Sequence, residues 1–421
     1  MTTGGQSSRR SLLRGVAAVA GAAAATPFLA GVATALGGDA DALFKAGKFE
    51  EAGRAYEEIL RKDPTNVHAA RRRGYVGLLA NKFADAEKYL KTALDLAPGD
   101  QEAHRFLADC YLRQDKLALS VPHWQAIGEE SYAKWFSAVR GEPYQIHGDI
   151  GRVEFQKLDP MPQVEASVNG GPPKRFTFYT GAPSLGLTST LAKQAGLKPV
   201  ASQEIDFEGG RIWAYYGVLD SFEIGGLELR NVPVGWSSTE SGEDVDDDHD
   251  GMIGTWVFYH LLTTFDYANR ALVLRRPTPE AVKSATAGTK PLPLWLADDH
   301  YLHSLGSVAG SGTRVVGTNF GGSGEMAAVL FGDTAERLGV RTDRGRPLET
   351  SAHSTPTVVY PCYPKELRVG GAVAKEIYCE SHPTADTAGL GFDVPAAFFQ
   401  CFWKPFSVTL DFTGMNLYVR T

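Results

Sequence analysis

The chain has 421 residues, 43% of them hydrophobic, which is enough for two or three globular domains. A formal net charge of -7 with no long basic run argues against a general nucleic-acid binder. The 46 glycines and 23 prolines point to a turn-rich β region, and the four cysteines show no zinc-type spacing.

Residues 1–36 read as an export signal. Arg9 and Arg10 lie in Ser8-Arg9-Arg10-Ser11-Leu12-Leu13-Arg14, which is close to the twin-arginine pattern. No acidic residue precedes Asp39, and an alanine-rich stretch runs from Val16 to Leu36, with Ala33-Thr34-Ala35 as a small-residue cleavage site. The competing reading is a membrane anchor, because the stretch is about long enough to span; Pro27 and the many alanines and glycines make it weakly apolar. The expectation is a protein exported to a bacterial periplasm or other extracytoplasmic site, touching the membrane only if the segment stays uncleaved.

Residues 39–130 carry a 34-residue period. Phe49, Phe83 and Leu117 keep that step, as do Lys48, Lys82 and Lys116, and Tyr56, Leu90 and Trp124, while Pro64 and Pro98 end successive units. This pattern resembles tetratricopeptide repeats, helical hairpins that bury their apolar stripes by stacking into a short solenoid. The resemblance implies a concave face that receives a peptide or protein partner, with a helical spacer for the rest of the chain as the alternative.

Beyond the repeats the pattern turns to strands. Phe176 and Phe178 lead into Tyr179-Thr180-Gly181-Ala182-Pro183-Ser184, and the helix-like run Leu191 to Leu197 follows. Then come Gly251-Met252-Ile253-Gly254 and two strand-like segments joined at Asn269-Arg270. The series recurs in Asn319-Phe320-Gly321-Gly322, in Thr334 to Val340, in Gly389-Leu390-Gly391, and in the pair Val408–Phe412 and Asn416–Val419. These motifs resemble retropepsin-like aspartic proteases in two tandem lobes, residues 145–280 and 290–421. The implied fold is multidomain α plus β, an α-helical repeat solenoid followed by two all-β aspartic-protease-like lobes.

In that family two carboxylates share one proton, one activating water and the other polarising the substrate carbonyl. The matching positions here read Tyr179 and Asn319, a phenol and an amide, so no catalytic residue is assigned. Tyr179, Thr180, Gly181, Asn319, Phe320 and Gly321 are the pseudo-active-site positions, and Gly251, Met252, Ile253, Gly254, Gly389, Leu390 and Gly391 the cleft supports. The expected function is binding of a peptide or protein without proteolysis, with neither cofactor nor metal. The alternative is an active aspartic endopeptidase with relocated carboxylates, for example from the Asp244 to Asp250 loop.

Several local features compete for attention. Asp246, Asp248, Asp250 and Gly251 match the start of an EF-hand loop, but Val257 stands where its bidentate glutamate belongs, so a solvated acidic loop is expected. His300 and His303 lack a third ligand and are read as surface polar residues. Ser184 has no histidine and acid at recognisable spacing. Cys362 and Cys379 flank Gly370-Gly371 symmetrically, so a hairpin turning there sets them opposite each other as a disulfide or as two buried thiols. Cys110 is expected as a packed free thiol.

Overall fold

The computed structural model describes residues 35–421 apart from 208–209, 240–243, 245–247, 323, 353–354 and 385–386. Arg9, Arg10, Asp246 and nearly all of the signal-like segment therefore lie outside the described residues. No described helix is long and apolar enough to cross a membrane.

The 34-residue period becomes three helical hairpins: Ala35–Lys45 with Phe49–Lys62, Val67–Leu79 with Phe83–Leu96, and Gln101–Leu112 with Leu117–Ala126. Asn66 and Asp100 start the second and third, their side chains accepting the N–H groups of Ala69 and Ala103 at 2.9 and 3.0 Å. Each cap satisfies a donor that no helical carbonyl can reach. Phe49 and Leu117 are buried at the repeated position, and Phe83 is half-buried. A seventh helix, Glu130–Ala138, continues past the last repeat and packs Trp135 and Tyr132 onto Tyr216 of the first lobe.

The β region contains sheets of eight, six and eleven strands. The eight-stranded sheet is built from residues 145–253, and its long hairpin Gly210–Ile224 with Leu227–Thr239 turns at Gly225-Gly226. Both glycines have positive φ, and a Cβ on Gly225 would lie 2.8 Å from the Arg152 backbone. The eleven-stranded sheet runs from Trp295 to Phe398.

The six-stranded sheet joins the two halves. Its order is Pro291–Pro293, Asn416–Arg420, Ser407–Asp411, Leu262–Asp266, Ala271–Arg275 and Ile150–Glu154, three strands from each half. The halves meet where Leu262–Asp266 pairs antiparallel with Ser407–Asp411, Thr264 opposite Thr409, with their hydroxyls 2.9 Å apart. Each half contributes a closing hairpin to the centre and an earlier strand to the outer edge, so the sheet repeats itself about that threonine pair.

The helical repeats pack against this β region rather than standing apart. One apolar cluster joins Phe44, Phe49, Tyr75 and Phe106 of the repeats to Trp295, Ala297, Tyr301, Phe392 and Val394. Phe49 meets Trp295 and Phe392 edge-on, with centroids 5.1 and 5.0 Å away. The sequence left the repeat face open to a partner; the chain's own segments 295–301 and 390–394 cover part of it.

Candidate functional site

Hydrogen-bond register places Tyr179 and Asn319 at equivalent points. Strand Lys174–Phe178 runs parallel to Gly251–Ile253, with Phe178 opposite Ile253, and Tyr179 N–H donates to Ile253 O at 3.0 Å. Strand Arg314–Thr318 runs parallel to Ala396–Phe398, with Thr318 opposite Phe398, and Asn319 N–H donates to Phe398 O at 2.7 Å. The supporting strand of the second half is thus Ala396–Phe398. Gly389, Leu390 and Gly391 do not play that role: Ala388–Leu390 is a short 3-10 turn against the repeats. A Cβ on Gly391 would fall 2.8 Å from the Arg72 guanidinium and 3.2 Å from the Phe44 ring.

Gly251 and Gly254 are required by close approach. A Cβ on Gly251 would sit 2.3 Å from the Phe176 ring, and one on Gly254 would lie 2.4–2.7 Å from the carbonyls of Ser184, Pro183 and Ala182. Thr255 and Trp256 donate their N–H groups to Ala182 O and Pro183 O at 2.8 Å, and Thr255 Oγ1 donates to Thr180 O at 2.8 Å. In the second half Phe399 N–H donates to Ala327 O at 2.9 Å.

The two loops touch through Thr180. Its hydroxyl accepts Phe320 N–H at 2.8 Å and donates to Asn319 Oδ1 at 3.0 Å, while Thr180 N–H donates to Phe320 O at 3.0 Å. No second threonine reciprocates. Phe320 is fully buried, stacked on Phe265 at 4.7 Å and 8° and tilted against Trp403 at 5.2 Å. On the Phe320 side the seam is held by packed rings.

The Tyr179 ring lies between glycines of both loops. A Cβ on Gly181 would come 2.4 Å from its Cζ, and one on Gly322 would come 2.5 Å from its Cε2. The same Gly181 point is 2.6 Å from the Tyr179 hydroxyl and 2.7 Å from Asn319 Nδ2, so phenol and amide face one another. Burial pushes the phenol above its usual range, with the Asn319 amide acting in the opposite sense. Gly321, at φ +91°, leaves no room for a side chain, since its Cβ would lie 1.8 Å from Phe178 O. Among the described residues no carboxylate hydrogen-bonds to Tyr179, Thr180 or Asn319.

Next to this loop is a recess of about 140 Å³. Its walls are Tyr215, Tyr216 and Trp236 of the long hairpin, Met252, and Tyr132 and Trp135 of the seventh helix. Ser184, Ser237 and His249 supply polar edges. Sequence reasoning missed the helical wall, because nothing local marks Tyr132 or Trp135 as meeting a hairpin about 80 residues later.

Other expected sites resolve differently. His300 and His303 are buried, not surface residues, at 0% and 3% exposure. Burial lowers His303 to about 4. His300 Nδ1 bonds to Asp299 Oδ1, and Thr255 Oγ1 and Trp256 Nε1 donate to the His300 and Asp299 carbonyls. Asp250 accepts Arg175 N–H at 2.9 Å, and Asp244 accepts Thr190 N–H at 3.0 Å, so both support local backbone. No group of three or more metal-ligating side chains occurs among the described residues. Cys362 and Cys379 are direct partners in antiparallel register, both buried free thiols, and burial raises Cys362 to about 12 and Cys379 further. Cys110 is a buried free thiol in its helix.

Comparison with known proteins follows the same division. An aspartyl protease family model matches residues 164–257, and a tetratricopeptide repeat model matches residues 38–100 and 78–127. No curated protein matches. Among solved structures, the first tetratricopeptide domain of Spaghetti (RPAP3), bound to an HSP90 peptide, is similar at 24% identity. That match covers 22% of this chain and 75% of that one, with a TM-score of 0.22. The chain therefore joins tetratricopeptide repeats to a retropepsin-like aspartyl-protease domain within an α plus β protein.

Proposed function

We propose that this protein is an exported, non-proteolytic binding protein that holds an extended peptide against its protease-like lobes. The observation that carries this reading is Tyr179. Its ring stands between Gly181 and Gly322, with the Asn319 amide at its hydroxyl. A phenol pushed upward by burial and an amide that does not titrate cannot share the proton that activates water.

The adjoining recess gives the peptide a side-chain pocket. Its volume of about 140 Å³ is close to that of an apolar cavity of about 150 Å³ known to hold one benzene. One six-membered ring or branched aliphatic side chain fits among Tyr215, Trp236 and Trp135. Relocated chemistry is the weaker reading, because in the Asp244 to Asp250 loop that would supply it Asp250 accepts Arg175 N–H and Asp244 accepts Thr190 N–H.

The test combines cleavage with binding. The mature protein, incubated at acidic pH with unfolded casein and a fluorescent peptide library, is expected to leave every peptide intact while retaining those with aromatic or branched residues. Trp236→Ala should weaken retention about tenfold, roughly the effect of removing one well-packed aromatic contact. Cleavage that survives mutation of Tyr179 and Asn319 but vanishes on changing one nearby aspartate would establish the relocated enzyme instead.

A further inference from the structure

The contact between repeats and lobes buries a cluster of ionisable side chains, among them Asp109, Asp299 and His300. Helix Gln101–Leu112 points Asp109 at the segment Asp298-Asp299-His300. Asp109 is 1% exposed, and neither of its carboxylate oxygens has a hydrogen-bond partner among the described residues. His300 Nε2 is likewise buried without a partner.

The neighbours come from several elements. Arg105 and Arg113 lie on the side of Asp109, Tyr75 on helix Val67–Leu79, and Tyr132 on Glu130–Ala138; Cys110 is adjacent. Arg113 donates to Leu78 O at 2.9 Å, to Asn81 Oδ1 at 3.5 Å and to Asp298 O, and so ties the repeats to a residue held at φ +46°. Two arginines face three carboxylates. An ionised carboxylate without a hydrogen bond is expensive in such a place.

We infer that the junction is a proton-linked clasp, in which Asp109 takes up a proton as the repeats dock onto the Asp298-Asp299-His300 segment. The electrostatics agree with the geometry. Burial pushes Asp109 up to about 7, against the pull of Arg105 and with Asp299 adding to the rise. Burial also raises Asp298; at Asp299 the same burial is outweighed by the charge and hydrogen bond of His300, which hold it below the usual range.

The sign follows. An acid raised in the docked state contributes fully below its free value near 4, and that contribution fades as pH rises towards about 7. Asp299, shifted the other way, loses its contribution only below pH 4; Asp298, raised like Asp109, adds to the same window, and comparison with Asp109→Asn separates the two. Proton-linked docking would make release of the repeat face sensitive to the pH of the compartment.

Urea unfolding of the full mature chain and of Asp109→Asn, from pH 4 to 8, tests the clasp. The folding constant of the wild type should fall relative to the variant as pH rises above 4, by up to about tenfold for every pH unit over which Asp109 is protonated only when docked. Hydrogen exchange in Gln101–Leu112 and in 295–301, corrected for intrinsic rates, should accelerate over the same range in the wild type alone. Parallel pH profiles, or exchange that ignores pH, would overturn the inference. If Asp109→Asn does not fold, isotope-edited infrared spectra of the wild type and of Asp298→Asn decide: a protonated buried aspartate at pH 5.5 that persists in Asp298→Asn supports the clasp, and its absence there refutes it.

Discussion

Replacing Phe320 tests whether packed rings hold the seam between the Thr180 and Phe320 loops. The ring is fully buried between Phe265 and Trp403, at centroid distances of 4.7 and 5.2 Å. Phe320→Ala should cost roughly 3–5 kcal/mol from transfer and cavity terms, including about 0.5–1.5 kcal/mol for the aromatic pairs. Phe320→Thr would restore the hydroxyl of the resembled loop, yet one new hydrogen bond returns only about 0.5–1.5 kcal/mol. Ring loss wins, so that variant should still be destabilised by about 2 kcal/mol or more. Urea unfolding followed by tryptophan fluorescence is the assay, and Trp403 is a reporter at the site. A loss below about 1 kcal/mol for Phe320→Ala, or a gain for Phe320→Thr, would refute the claim that rings hold this seam.

Gly321→Ala should destabilise the fold by about 2–3 kcal/mol, because a left-handed backbone and an obstructing Phe178 carbonyl act together; a shift under about 1 kcal/mol in the same assay would contradict it. Protein matured in an oxidising compartment should show two titratable thiols in denaturant instead of four, with a linked peptide containing Cys362 and Cys379, since the two face each other in register. Four free thiols would leave the pair as packing. Changing both Arg9 and Arg10 to lysine should retain the precursor in the cytoplasm, as read by fractionation, and undiminished export would point to another route.

The repeats were legible because a 34-residue step survives any substitution that keeps side-chain size, and Phe49 and Leu117 are buried where that step puts them. The first loop was legible through Gly251 and Gly254, whose lack of a Cβ is demanded by Phe176 and by three carbonyls. Its partner was not. Ala396–Phe398 occupies the same register without a glycine, so the glycine pattern points instead to Gly389 and Gly391. The burial of Asp299, His300 and His303 was hidden for another reason: an Asp-His cluster looks like surface until helices almost 200 residues earlier cover it. Likewise the recess depends on Trp135, whose indole donates to Gly217 O at 2.7 Å across 82 residues. Local pattern carries element type; contacts between distant segments carry the site.

The six-stranded sheet has a consequence for either half alone. Among the described residues its centre, Thr264 opposite Thr409, is where the halves exchange strand hydrogen bonds in matched register. A first half cut free near residue 280 would present Leu262–Asp266 as a raw edge, shaped to receive an antiparallel strand like itself. The second half supplies that strand covalently, so each molecule satisfies internally what an isolated half would seek in another copy. With both halves in one chain the two loops need not be identical, and one carries Thr180 where the other carries Phe320.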